Sequence, residues 1–184
     1  MSLLERCQAG DASAWNQLFR ERSGQVYRWA VLLGLNPADA EEAAQEVFAI
    51  AARRIDTCHA DDALGSWLFQ ITRRVVANAR RSGWLKRALF GEKPLEPAFG
   101  PAESPETAKE IAVRACLAKI PREQAEVLVL MEVEGHTREE VADILGLPPG
   151  TVASRARLGR KAFLRHWQEM QEAAGDLALS WGEK

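Results

Sequence analysis

Arg155, Arg157, Arg160 and Lys161 crowd into the stretch GLPPGTVASRARLGRKAF, residues 146–163, which holds no acidic residue. Groups of this kind at this density suit a polyanion. Arginine offers bidentate hydrogen bonds to phosphate or to a guanine edge, and lysine offers a compact charge. A second basic set, Arg73, Arg74, Arg80 and Arg81 with Asn78, follows Trp67 and Phe69. Basic groups beside aromatics suit a single nucleic-acid strand, whose phosphates need charge and whose unstacked bases need surfaces. On the plainer reading both aromatics are core, and Trp67 is expected there. Other chemistries lack their residues. His59, His136 and His166 are isolated from one another and read as surface or packing residues. Cys7, Cys58 and Cys116 are odd in number and far apart, without a CxxC pair, so neither a disulfide framework nor a metal site is expected. No nucleophile–base pair or phosphate loop stands out. The expectation is a protein that is not an enzyme and needs no cofactor.

A formal net charge of -2 over 184 residues means that any DNA binding must rest on local patches. The 47% hydrophobic share is that of a folded chain, and the length suits one medium domain or two small ones. No apolar run approaches the ~20 residues that cross a bilayer. The N-terminus, MSLLERCQAGD, meets Glu5, Arg6 and Asp11 too early for a secretory signal. A cytoplasmic protein without membrane insertion is the expectation.

Apolar residues recur at helical spacing and strand alternation is missing, which predicts an all-α fold. Asp11 caps a helix running to about residue 33. Asn36 before Pro37 starts a second, through residue 55, since the asparagine accepts a free amide and proline is preset for the first turn. The polar loop DTCHADDA leads to a third helix over residues 64–82. Gly91, Pro94, Pro97, Gly100 and Pro101 then break regular structure. The spacing predicts two small helical domains, residues 1–83 and 105–184, joined by a flexible linker over 84–104. Ser104-Pro105 restarts a helix toward Lys119, Pro121 opens another that ends at Gly135, and Thr137 with Glu140 forms a capping box for a short helix to Leu145.

A short helix, a turn at Gly146 and a second helix make a helix-turn-helix pattern. At about 100° per residue, Val152, Ala156, Gly159 and Phe163 share one face, the packed one. Ser154, Arg157 and Lys161 fall opposite, with Arg155 and Arg160 on the flanks where phosphates would lie. The basic charge is gathered there because one helix face must approach DNA.

These motifs resemble those of the extracytoplasmic-function (ECF) sigma factors, the two-domain promoter-specificity subunits of bacterial RNA polymerase. LAKIPREQAEVLVLMEVEGHTREEVADILGLPPGTVASRARLGRKAF is similar to their region 4. DAEEAAQEVFAIAARRI is similar to region 2.2, whose pattern falls on Asp39, Glu42, Gln45, Glu46 and Phe48, and GSWLFQITRRVVANARRS looks like regions 2.3 and 2.4. The likeness covers about residues 3–82 and 105–166. It implies that Asp39, Glu42, Gln45, Glu46 and Phe48 dock on the core polymerase, beside a core-facing stripe of Ala43, Val47, Ile50 and Ala51. It implies that His59, Asp61, Arg73, Arg74, Asn78, Arg80 and Arg81 melt and hold the -10 element, the DTCHADDA loop helping to receive a base turned out of the stack. For the -35 element it implies Thr151, Ser154, Arg155, Arg157, Arg160 and Lys161. Core polymerase, promoter DNA and an anti-sigma factor are the implied partners. Ala153, Leu158, Arg157 and Arg74 depart from common family choices, so the promoter preference is not copied from relatives, and the residues after Trp167 match no part of the pattern. The alternative is a helix-turn-helix regulator whose first 82 residues form a dimerisation or sensor domain.

Overall fold

A computed structural model describes the backbone of residues 1–90 and 107–181, and the side chains of 1–83, 107 and 109–173. The described residues are helical throughout, with no strand among them, and the chain divides into two compact units, Met1–Pro101 and Ala102–Lys184.

The first unit holds α1 (Leu3–Gln8), α2 (Ala12–Leu32), α3 (Pro37–Arg54), a 3-10 turn (Ile55–Thr57) and α4 (Leu64–Phe90). Each start has a local cause. Ser2 and Glu5 make a capping box for α1. Asp11 caps α2 by accepting from the Ser13 and Ala14 amides, while the Arg6 guanidinium 2.6 Å away helps hold its carboxyl down to about 2. Asn36 accepts from the Asp39 amide and Pro37 occupies the first turn of α3. The core is built where α2, α3 and α4 meet. Leu18, Val26, Trp29 and Ala30 face Ala40, Ala43, Val47 and Ala51, with Leu68, Phe69, Val75 and Val76 closing the stack. Trp29 and Phe69 pack edge to face, ring centroids 5.2 Å apart.

The second unit holds α5 (Ala108–Ala118), α6 (Arg122–Leu128) with a π-helical continuation (Val129–Val133), α7 (Arg138–Leu145) and α8 (Pro149–Trp181). Its core draws on Leu117, Ile120, Val127, Leu130, Val141 and Val152. The Thr137–Glu140 capping box forms as expected. Gly146 ends α7 at φ +65°, and the Pro148 carbonyl accepts from Thr151 and Val152 while Pro149 takes the first position of α8. The double proline is therefore a helix start.

Three boundaries differ from expectation. The α4 backbone stays helical past residue 82 to Phe90, running through Gly83, since a single glycine weakens a helix by only ~1 kcal/mol and does not end it. The expected linker from there to residue 104 lies outside the described residues. The α5 cap is Thr107, not Ser104, since Thr107 with Glu110 forms a reciprocal capping box. The helix after Pro121 widens to a π turn over its last residues, where the Glu134 amide reaches back to the Val129 carbonyl at 3.1 Å.

Gly146 has open space where a Cβ would stand, so backbone conformation alone sets the effect of filling it. Gly146→Ala should destabilise the protein by ~1–2 kcal/mol, and Gly146→Asn by less, as urea denaturation followed by circular dichroism will show.

Candidate nucleic-acid interface

α8 carries its basic residues on the side away from the core. Val152 and Ala156 are buried, and Gly159 is buried so closely that a Cβ would stand 3.1 Å from Leu128 Cδ1 and 3.3 Å from Gln124 Cβ. Phe163 is half-buried and stacks on Trp167. That seating turns Ser154, Arg157 and Lys161 to solvent, with Thr151 and Arg155 half-buried beside them. Leu158, 42% exposed, lies near the same outer face, an apolar surface of the kind that meets a thymine methyl. Arg160 sits on the flank as expected, but its guanidinium is held by Glu132 through contacts of 2.6 and 2.8 Å. Beside that pair an apolar groove of about 320 Å³ runs between Val113, Val129, Val133, Phe163 and Leu164.

The first unit presents a second basic surface on α4. Arg74, Asn78 and Arg81 are exposed, and Arg73 is half-buried with Nη1 3.3 Å from Gln70 Oε1. Arg80 does not join that open face. Its Nη1 donates to the Leu33 carbonyl at 3.1 Å and lies over Gly34, which at φ +102° brings the turn close beneath it. It ties the end of α2 to α4.

Of the two aromatics, Phe69 is in the core and Trp67, expected there, is not. Trp67 stands half-exposed at a pocket of about 250 Å³ lined by Arg54, Thr57, Gln70, Ile71 and Arg74. Trp67 Nε1 donates to Thr57 Oγ1 at 3.0 Å, and that hydroxyl donates to the Arg54 carbonyl at 2.7 Å. An indole, an amide and two guanidinium groups around one concavity match what a stacked, unpaired base requires. Thr57 belongs to the DTCHADDA loop expected to help receive a base. Arg54 and Gln70 were not anticipated, although Trp67, Gln70, Ile71 and Arg74 follow one another at helical spacing. Of the loop residues, His59 is exposed, while Asp61 Oδ1 accepts from the Leu4 amide at 2.9 Å.

α3 exposes Asp39, Glu42, Gln45 and Glu46 on its outer side, with Glu41 beside them. Phe48 is not part of that surface. It is 8% exposed, and its ring meets the edge of Phe19 at 4.9 Å, so it supports the helix from within. Phe19 itself is 47% exposed. Ile50, expected in the core stripe, is half-buried, while Ala43, Val47 and Ala51 are fully enclosed. Among the described residues no cluster of three or more His, Cys, Asp or Glu side chains is placed to hold a metal, and no helix is long and apolar enough to cross a membrane.

Comparison with known proteins gives the family. Residues 18–85 match the family model for sigma-70 region 2, and residues 110–163 match that for sigma-70 region 4. The chain is 32% identical over 158 residues to the ECF RNA polymerase sigma factor SigM of Mycobacterium tuberculosis, covering 85% of this chain and 79% of that one. It is 31% identical to the ECF sigma factor SigE of Mycolicibacterium smegmatis, covering 90% and 68%. Its fold is similar to that of the sigma factor RpoE in complex with the anti-sigma factor NepR from Bartonella quintana, with a TM-score of 0.69 at 22% identity over 83% of this chain and 96% of that one. CnrH in complex with the cytosolic domain of CnrY gives a TM-score of 0.65 at 22% identity, covering 93% and 96%. With both family models matched in order and a curated relative matched over most of its length, the chain belongs to the ECF RNA polymerase sigma factors, the non-enzymatic subunits that direct RNA polymerase to promoters.

Proposed function

We propose that the first unit docks on core polymerase through the outer side of α3 and opens and holds the -10 element along α4, while the second unit reads the -35 element with α8. The observation that carries this reading is the composition of the first unit's surface. One helix shows Asp39, Glu42 and Glu46 to solvent, and another shows Arg74, Asn78 and Arg81 beside the Trp67 pocket. Surfaces of opposite sign suit a protein partner and a nucleic-acid strand respectively, and a plain helix-turn-helix regulator has no use for a pocket of that kind. In the second unit Arg157 and Lys161 face outward for bases, and Thr151, Ser154 and Arg155 border them. Arg160 reaches phosphate only once it leaves Glu132.

Residues 84–104 are the proposed connection between region 2 and region 4, with α4 extending into its first part. The place of action is the cytoplasm, where polymerase and chromosome are. An anti-sigma factor is the third inferred partner. The solved relatives RpoE and CnrH are complexes with NepR and CnrY, and the apolar groove beside Glu132 and Arg160 offers a protein helix a fitting surface. Run-off transcription with purified core polymerase on a genomic library tests the whole reading: start sites selected by this chain support it, and unselective initiation sinks it.

The docking surface is separable from the core behind it. Asp39→Arg combined with Glu42→Arg should abolish association with core polymerase while the fold survives with only a small drop in thermal midpoint. Both side chains are exposed, although Asp39 also accepts from the Asn36 cap at 2.8 Å. Phe48→Ala should instead destabilise the fold by ~3–5 kcal/mol, and equilibrium unfolding beside a polymerase pull-down distinguishes the two.

On α4, Trp67→Ala should weaken binding to single-stranded -10 DNA by ~1–3 kcal/mol, the range for one base stacked on one aromatic. An oligonucleotide titration by fluorescence anisotropy measures it, and unchanged affinity would remove the pocket from the interface.

On α8, Arg157→Ala should relax preference at one position of the -35 element by ~1–3 kcal/mol, the range for a bidentate arginine–guanine pair. Arg155→Ala should weaken all sequences alike and lower the salt slope by about one. A randomised -35 library read at two salt concentrations tells these apart. If Arg155→Ala shifts the consensus and Arg157→Ala does not, the reading face must be rotated toward Arg155.

A further inference from the structure

The segment between α3 and α4 has only one 3-10 turn of its own, yet α1 holds its backbone from one side. Gln8 Nε2 donates to the Cys58 carbonyl at 3.0 Å and lies 3.4 Å from that of Ile55. The Ile55 carbonyl also accepts from the Cys58 amide at 2.9 Å. Gln8 therefore serves chiefly the Cys58 carbonyl, which stands just beyond the 3-10 turn, where helical partners have run out. The Leu4 amide donates to Asp61 Oδ1 at 2.9 Å, and the Ser2 hydroxyl together with this amide holds the Asp61 carboxyl below the usual range. On the other side, Thr57 links the Arg54 carbonyl to the Trp67 indole. The six residues of α1 are too few to persist alone. They are pinned by the buried Leu4 and Cys7 side chains, by Trp15 Nε1 donating to the Cys7 carbonyl at 3.1 Å, and by the Arg6–Asp11 pair. The match to the region 2 model begins at residue 18, so α1 lies ahead of it.

We propose that α1 braces the 55–61 segment, and that Gln8 and Asp61 are positioning residues for -10 recognition which set the mouth of the Trp67 pocket without touching DNA. This rests on the reading of the first unit as the -10 reader. Asp61 then acts through the loop, since its carboxylate is already engaged by α1. The physical effect is preorganisation for one base: a rim fixed in a single shape fits one base better than the others, whereas a rim that samples several shapes accommodates each of them. Without Gln8 the Cys58 carbonyl turns to water and the rim samples several shapes.

The test uses the full chain with core polymerase and a library randomised across the -10 element, comparing wild type with Gln8→Ala, Asp61→Ala and Asp61→Asn. Gln8 is exposed, so its truncation leaves the core intact. Base selectivity at one -10 position should fall about fivefold in Gln8→Ala and Asp61→Ala, the worth of one net hydrogen bond. Affinity for core polymerase and the -35 preference should not change. Asp61→Asn keeps an oxygen for the Leu4 amide and should retain most of the selectivity. Amide exchange across residues 56–62 should quicken in Gln8→Ala while α3 and α4 keep their protection. Wild-type base preference in Gln8→Ala overturns the brace. So does a uniform loss of activity on every -10 sequence, which would mark α1 as a stabilising element only. Should Asp61→Ala fail to fold, Gln8→Ala decides alone. If the wild type itself shows no -10 preference, the reading of the first unit falls, and unchanged exchange at 56–62 would then sink the brace separately.

Discussion

The approach of α8 to α6 at Gly159 sets the roll of α8, and which of its basic side chains reach solvent follows from that roll. With no side chain at 159, Leu128 and Gln124 come within van der Waals reach of the backbone, and Val152 and Ala156 are drawn into the same seam. Close packing of this kind tolerates little rotation, because neighbouring side chains have no free volume to yield. Arg157 and Lys161 therefore point outward as a consequence of what the other side must bury. Gly146 and the paired prolines fix where α8 begins, and so how far along the axis each arginine stands.

The first unit obeys the same constraint with three helices. α3 gives a stripe of alanines, Val47 and Phe48 to the core, which lets it lie close to α2 and leaves its acidic residues in one exposed band. α4 gives Leu68, Phe69, Val75 and Val76, so Trp67, Arg74 and Asn78 emerge together. The acidic band occupies the first turns of α3, while the exposed arginines stand on α4 and at the far end of α3, and each surface is presented by a rigid element. Such placement favours precision in the geometry of contact.

Polar side chains that resemblance alone assigns to DNA divide into two kinds once their partners are visible. Arg157, Lys161, Arg74, Asn78 and Arg81 face water. Arg80, Asp61 and Arg160 are already engaged, by the Leu33 carbonyl, the Leu4 amide and Glu132 respectively. The engaged residues are exposed as well, and through these contacts they hold elements in place. Glu132 adds a further link, since it lines the apolar groove and pairs with Arg160 at once. A group that occupied the groove would meet the same carboxylate that restrains one flank of α8.

Helix starts at Asp11, Asn36-Pro37 and Thr137, the turn at Gly146 and the phase of α8 were all legible in the residue order, because caps and periodicity are local and act within about one helical turn. The region 2.2 and region 4 motifs were legible for the same reason. What the order of residues left open was which of two plausible faces each ambiguous side chain takes. Trp67 and Phe69 lie two residues apart, about 200° around a helix, so one of them had to leave the core. Only the position of Trp29 decides that it is Trp67. Phe48 sits at the border of buried and exposed arcs, and Phe19 on a different helix closes over it. The partners of Arg80, Asp61 and Arg160 are 47, 57 and 28 residues away in sequence. Contacts at that range leave no periodic trace, and they come into being only when the helices have packed.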